Sequence, residues 1–217
     1  MYTKYCKRLI DVILSFLGII ALTVLIIPVG LLIYFEDKGS IFYIAPRLGK
    51  DGKVFNMYKF RTMRMNAPDL RNEDGSTYNS VDDIRLTKIG KFLRKTSLDE
   101  SPQVVNVLLG DMSVIGPRPD LPEHFDMYLD SEAKKLEVRP GITGYNQAYY
   151  RNTIPWRERI QLDIFYIENI SFLLDIKIFF KTAISVFKKE SVFVPKSSLN
   201  ASKIETSKGK EHEKLNI

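Results

Sequence analysis

The sequence predicts a helix-rich α+β domain, made of a small strand region and interfacial helices, with a re-entrant helix-break-helix embedded in the membrane at its amino-terminal end. Three observations predict it. Val12 to Phe35 is a run of 24 residues without a charge, and about 20 apolar residues suffice to cross a bilayer core as a helix. Positive residues flank the run on both sides, Lys4, Lys7 and Arg8 before it and Lys38, Arg47, Lys50, Lys53, Lys59 and Arg61 after it. Beyond it, short strand-like runs give way to segments with helical periodicity.

The flanks decide how the apolar run is read. Positive residues beside membrane segments prefer the cytoplasmic side, so both ends want the same side. Pro28 removes a backbone donor and crowds the preceding turn, which bends or breaks a helix. A segment from Leu9 to Phe35 that dips in and returns satisfies both flanks; a straight crossing with a kink at Pro28 is the alternative. A cleavable signal peptide fits poorly, because its apolar core is only about 7–15 residues long and no small-residue cleavage site follows.

After the run, Ile41–Ile44 and Val54–Tyr58 read as strands around the turn Gly49-Lys50-Asp51-Gly52, a hairpin. The polar stretch from Asn66 to Asp83, with Pro68 and Asp74-Gly75, reads as a loop. Thr87 to Lys95 reads as a helix with Ile89, Phe92 and Leu93 on one side and a basic stripe of Lys88, Lys91 and Lys95 on another. A further helix is expected from Ser97 towards Leu109, ended by Gly110. Gly116-Pro117-Arg118-Pro119 and Arg139-Pro140-Gly141 read as rigid turns. Trp156 to Glu168 and Phe172 to Lys188 are two more helices, the second apolar nearly all round and so either deeply packed or sunk in an interface. These elements make one domain over residues 1–190, and 191–217 reads as a disordered basic tail with little to bury.

Charge narrows the classes of function. The net charge is +6, of which Lys4, Lys7 and Arg8 supply three and the stretch from Lys188 to Ile217 another three, leaving residues 9–187 neutral. A nucleic-acid binder more often carries its excess on the folded body; basic ends beside an apolar segment suit a membrane with anionic lipid, and no nucleic-acid partner is expected. Cys6 is the only cysteine, so no intramolecular disulfide can form, and His124 and His212 are too few and too distant to make a metal pair.

The polar cluster that stands out is Ser97-Leu98-Asp99-Glu100-Ser101-Pro102-Gln103. Ser97 and Glu100 at this spacing read as a capping box, which leaves Asp99 unexplained. A carboxylate at a helix start, beside donors able to take phosphate, can bind a divalent cation or attack phosphorus. Lys59, Arg61, Arg85, Arg118 and Arg139 are candidates to hold a diphosphate, since guanidinium forks match phosphate oxygens. Asp163 and Asp175 interrupt apolar helical stretches, where an unpaired carboxylate is costly, so each is expected to pair with a cation, structural or catalytic.

In order along the chain, several stretches together resemble the bacterial sugar transferase family, the monotopic polyprenyl-phosphate phosphoglycosyl transferases of the small single-domain type. They are Lys7-Arg8-Leu9-Ile10-Asp11, Lys59-Phe60-Arg61-Thr62-Met63, Arg85-Leu86-Thr87-Lys88-Ile89-Gly90, Ser97 to Gln103, Asn106 to Ser113, Gly116-Pro117-Arg118-Pro119 and Arg139 to Gly144. The resemblance implies a cytoplasmic-face active site on the bacterial plasma membrane and transfer of a sugar phosphate from a UDP-sugar to polyprenyl phosphate, with UMP released. It also implies magnesium as cofactor, Asp99 as nucleophile and metal contact, Glu100 beside it on the metal, and roles for Lys59, Asp163 and Asp175. The chain departs from the family pattern at Pro46, Ser101, Tyr145 and Tyr150, while Gly144, Gln147, Arg151 and Asn152 keep to it. The competing readings are a membrane-bound phosphatase for lipid-linked substrates and a non-enzymatic tethered module for anionic lipid or nucleic acid.

Overall fold

The computed structural model describes residues 2–70, 78, 80, 83–150 and 154–188. The tail expected over 191–217, much of the loop expected before Asp83, and Arg151 and Asn152 lie outside them.

The apolar run forms one long helix, α1 (Lys7–Asp37), continuous through Pro28. The break expected there is not an interruption of the helix. At 1.5 Å per residue α1 is about 46 Å long, and it has two faces. One carries Asp11, Ser15, Leu22, Val29, Gly30 and Ile33, all buried. The other carries Ile13, Phe16, Ile20, Val24, Ile27 and Leu31, all exposed, at spacings of three and four. The burying face runs the length of the helix, so both ends of α1 rest on the same body.

Strands β1 (Phe42–Leu48) and β2 (Val54–Phe60) form the expected antiparallel hairpin, somewhat longer than the sequence suggests, with Phe42 opposite Phe60 and Leu48 opposite Val54. The middle and end of α1 pack on this hairpin and on α2 (Lys88–Thr96) through Leu22, Val29, Ile33, Phe60 and Leu93. Helix α3 (Gln103–Leu109) closes the free edge of β2: the Asn106 side chain accepts from Tyr58 N (3.0 Å) and donates to Asn56 O (2.8 Å). A side-chain amide here does the work of a neighbouring strand.

A second two-stranded sheet was not foreseen. Strand β3 (Ser113–Ile115) runs parallel to β4 (Gly141–Thr143), with three residues each, too short for period-two patterning to register. Around it, α4 (Tyr145–Tyr149), α5 (Trp156–Glu168) and α6 (Phe172–Phe187) pack through Ile115, Ala148, Tyr166 and Ile178. Phe172, Leu173, Phe179, Phe180 and Ile184 remain on the outer side of α6, so that helix is packed on one face and apolar on the other.

Charged groups fasten α1 at both ends. Asp11 accepts from Ser113 Oγ (3.0 Å) and Val114 N (2.9 Å), while Arg8 donates to the carbonyls of Val107 and Leu108. At the other end Glu36 accepts from Lys88 N (2.6 Å) and Ile89 N (2.9 Å), taking two of the free donors at the start of α2. Asp37 accepts from Met65 N (2.7 Å).

Close backbone contact also fixes α2. A Cβ built on Gly90 would stand 1.9 Å from the carbonyl oxygen of Thr62, so no side chain fits unless the backbone moves. Gly90→Ala should therefore destabilise the protein by about 1–3 kcal/mol or more, whereas Ala in place of the exposed Lys91 should leave stability nearly unchanged. Thermal unfolding of the two purified variants in one detergent checks this; equal melting temperatures would mean that α2 is not held by this contact.

Candidate active site

Ser97 ends α2 in the left-handed region (φ 58°), its N–H bonded to the carbonyls of Arg94 and Leu93. The chain then makes a single 3₁₀ turn, Leu98–Glu100, before Pro102 leads into α3. The capping box expected of Ser97 and Glu100 is thus absent: Ser97 makes no side-chain cap, and the Glu100 carboxylate is engaged elsewhere. Leu98 packs into the core beneath α1, which leaves Asp99 and Glu100 side by side next to β2.

Four of the nine residues singled out in the sequence come together here. Lys59 Nζ donates to Glu100 Oε1 at 2.7 Å, and Arg118 Nη1 lies 3.7 Å from the same oxygen. Burial pushes the Glu100 carboxyl up, but Lys59, followed by Arg118 and Arg94, overcomes this and brings it down to about 2. Asp99 goes the other way. Burial and the adjacent Glu100 hold its carboxyl above the usual range, against the pull of Lys59, Arg94 and Arg118. Asp99 is only 8% exposed, and among the described residues it makes no hydrogen bond or ion pair. One carboxylate is thus neutralised by cations while its neighbour is left short of partners. These two oxygen donors are the pair a hard cation would use.

Arg94 was missed in the sequence. It lies in the last turn of α2, donates from Nε to Thr62 Oγ1 (3.1 Å), and its charge acts on both Asp99 and Glu100. The lysine stripe drew attention to the solvent face. Arg94 instead flanks the buried side marked by Gly90 and Leu93, which was the signal available.

The other five candidates stand apart from this cluster or serve as supports. Arg61 lies beside Asp37 (3.3 Å), with its Nη2 buried and lacking a hydrogen-bond partner among the described residues. Arg85 is occupied by Asp83 in a two-pronged pair (2.9 and 2.7 Å) and by the carbonyls of Pro68 and Tyr78. Arg139 donates to the carbonyl of Gly110 (2.7 Å). Asp163 is fully buried between Asn146 Nδ2 (2.6 Å) and Lys135 Nζ (2.9 Å). Asp175 gathers Tyr2 Oη (2.5 Å), Lys7 Nζ (2.6 Å) and Tyr166 Oη (2.7 Å), tying the start of α1 to α6. The pairing with cations expected of both aspartates is present.

The opposite shifts of the two carboxylates have opposite consequences for stability. The raised Asp99 is protonated more readily in the folded state, so its contribution is present below its unfolded pKa and lost as pH rises through the folded one. The depressed Glu100 contributes above its unfolded pKa, and that contribution is lost as pH falls towards about 2. In metal-free protein at neutral pH, Asp99→Asn should raise the melting temperature, by roughly 2–4 °C for each kcal/mol relieved. Glu100→Gln should lower it. The Asp99→Asn gain should shrink on acidification; melting curves at several pH values that move together for all three proteins would contradict the assignment.

The sequence model of the bacterial sugar transferase family matches residues 2–189. The uncharacterized sugar transferase EpsL of Bacillus subtilis (strain 168) is 39% identical over 186 residues, covering 86% of this chain and 89% of that protein. The undecaprenyl-phosphate galactose phosphotransferase of Salmonella typhimurium is 36% identical over 207 residues, covering 88% of this chain. The UDP-glucose:undecaprenyl-phosphate glucose-1-phosphate transferase of Klebsiella pneumoniae is 38% identical over 195 residues, covering 86%. The chain spans only 42% and 41% of those two longer proteins. With a family match over residues 2–189 and a relative 39% identical over 86% of this chain, the chain belongs to the bacterial sugar transferase family.

Proposed function

We propose that this protein transfers a sugar phosphate from a UDP-sugar to polyprenyl phosphate, giving polyprenyl-diphosphate-sugar and UMP, at the cytoplasmic face of the bacterial plasma membrane. Undecaprenyl phosphate is the natural acceptor to test, being named for the Salmonella and Klebsiella relatives. Such a product would initiate a cell-surface glycan, in keeping with the exopolysaccharide role in the names of other relatives. The observation that carries the proposal is the asymmetry of the two carboxylates. Glu100 is charge-compensated by Lys59, whereas Asp99 is desolvated and unpartnered among the described residues. A carboxylate with few donors to shed before attack is suited to act as a nucleophile.

In the reaction proposed, a carboxylate oxygen of Asp99 attacks the sugar-bearing phosphorus. The bond from that phosphorus to the bridging oxygen breaks, and UMP leaves with the bond's electrons. A phosphate oxygen of the lipid then attacks the same phosphorus, the bond to Asp99 breaks, and the carboxylate is restored. Lys59 and Arg118 offset the negative charge of the diphosphate, and Glu100 keeps Lys59 in place between substrates. Magnesium fits the donor set. Among the described residues no group of three or more acidic, His or Cys side chains could hold a metal, so Asp99 and Glu100 would leave most positions to water and substrate phosphate, as this ion prefers. When bound it would neutralise charge on the diphosphate.

The membrane arrangement proposed is one-sided. Both ends of α1 bond to one body, and its outer stripe is apolar throughout. A helix so held embeds in one leaflet without carrying its far end across. Cysteines placed at Thr3 and Ser40 in a Cys6→Ser background should both be shielded from an impermeant thiol reagent in intact cells and both react after permeabilisation. Labelling of only one in intact cells would mean a crossing.

The chemical test uses radiolabelled UDP-sugars and detergent-solubilised protein. Without lipid acceptor, wild type should release UMP and retain label on the protein; adding undecaprenyl phosphate should move the label to lipid. Asp99→Asn should retain none, and label trapped on it at the wild-type level would sink the nucleophile assignment. Lys59→Ala and Arg118→Ala should each lose about 1.5–3 kcal/mol of kcat/KM, and chelation of magnesium should stop turnover.

A further inference from the structure

Arg118 stands on a short bridge between Pro117 and Pro119, and its own side chain is weakly held. The guanidinium is about a third exposed and lies 3.7 Å from Glu100, longer than a hydrogen bond. Its place is therefore set by the backbone that carries it. On the upstream side that backbone is fixed by main-chain bonds: Gly141 N donates to Pro117 O (2.8 Å) and Gly116 N to Thr143 O (2.9 Å). On the downstream side it is fixed at Asp120, by the side chain and by one main-chain bond.

The Asp120 carboxylate collects donors from three separate elements. Oδ2 accepts from Lys135 Nζ (2.6 Å) and Tyr128 Oη (2.7 Å), Oδ1 accepts from Trp156 Nε1 (3.1 Å), and His124 Nδ1 lies at 3.8 Å. The Asp120 carbonyl accepts in turn from Leu48 N at the end of β1 (2.9 Å). Lys135 is buried and bridges Asp120 to Asp163, which Asn146 of α4 orients. Burial opposes charge on Asp120, but Lys135 and its hydrogen-bond donors hold its carboxyl far below the usual range. A buried pair of this kind is a poor source of net stability, since apolar replacement is often neutral or favourable. What it supplies is a fixed geometry.

We propose that the buried Asp120–Lys135 pair, anchored through Asp163, is a positioning device that holds Arg118 within reach of the diphosphate beside Asp99 and Glu100. It rests on the transferase reading given above. Asp120 and Lys135 touch no substrate; they act through Arg118. This gives Asp163, deep in the domain, a route to the site by way of Lys135, Asp120 and the bridge.

A double-mutant cycle tests it, because a residue acting through Arg118 loses its effect once Arg118 is gone. Turnover of UDP-sugar and undecaprenyl phosphate is measured for wild type, Asp120→Asn, Arg118→Ala and the double variant. The binding of magnesium pyrophosphate to each is measured by calorimetry. Asp120→Asn should lower kcat/KM on the order of 10- to 100-fold, the cost of misplacing a group by about an ångström, and weaken pyrophosphate binding. In the Arg118→Ala background the same change should cost less than about threefold. Equal losses in both backgrounds would show a merely structural role and overturn the proposal, as would unchanged kinetics. Should Asp120→Asn not fold, Tyr128→Phe, which removes one donor and leaves the ion pair, is carried through the same cycle with the same criteria. A wild type that turns over no UDP-sugar refutes the transferase reading instead. The coupling is then read from pyrophosphate binding, and a wild type that binds none overturns the positioning role.

Discussion

Three carboxylates that bond main-chain N–H groups hold the apolar helix to the rest of the protein: Asp11 on Val114, Glu36 on Lys88 and Ile89, and Asp37 on Met65. Each bond joins a carboxylate acceptor to a backbone donor, the stronger class of protein hydrogen bond. Their placement at the two ends of α1 constrains everything between. With both ends fixed, the burying stripe must lie along the domain and the opposite stripe must face outward, so one helix serves as core and as an exposed apolar surface. The start of α2 depends on the same helix, because Glu36 satisfies donors that Thr87 alone cannot.

The site inherits that arrangement. Leu98 fills the core beneath α1, and the turn it anchors presents Asp99 and Glu100 to Lys59 on β2. Two adjacent carboxylates with shared burial would ordinarily repel and rise together. The cations separate them, because Lys59 hydrogen-bonds Glu100 and Arg118 lies 3.7 Å from it. Asp99 feels the same positive charges only at a distance, and it feels Glu100 beside it. A difference in partners makes two like residues chemically distinct. It also makes the site costly in stability, since the ionised form of Asp99 is the one the fold disfavours.

Much of this was legible in the sequence, and the failures have physical causes. The apolar run, the hairpin, α2, α5 and α6 each carry a signal that exceeds local noise: an uncharged stretch, a Gly-rich turn between strand formers, or helical periodicity over nine or more residues. Asp99 was legible because a capping box did not need it, even though the box itself did not form. Ser97 adopts a left-handed conformation that ends α2 instead of starting a helix, and Glu100 finds Lys59 from 41 residues away. The strands β3 and β4 were illegible because three residues hold no period; they pair Ser113 with Gly141 and Ile115 with Thr143, where Gly116 stands in close contact with Gly141 and Gly144. Arg85 was read as a phosphate candidate, yet Asp83, two residues before it, fills its guanidinium. A local partner of that kind can be seen in a sequence when neighbouring charges are weighed first.

A single residue step separates the apolar packing of α1 from the carboxylate pair. Leu98 belongs to the apolar cluster that includes Leu22, Val29 and Ile33 of α1, and Asp99 is the next residue. In the transfer proposed, a lipid phosphate reaching Asp99 would stay close to the surface that α1 occupies, and a nucleotide would approach from the side where Arg118 is partly exposed. Leu98 turns towards α1 while Glu100 meets Lys59 of β2, and Asp99 between them is buried with no ion pair among the described residues. Moving the turn outward would give up the packing of Leu98, and moving it inward would part Glu100 from Lys59. The observed position meets both constraints, and it keeps a buried carboxylate one residue from the apolar cluster on α1.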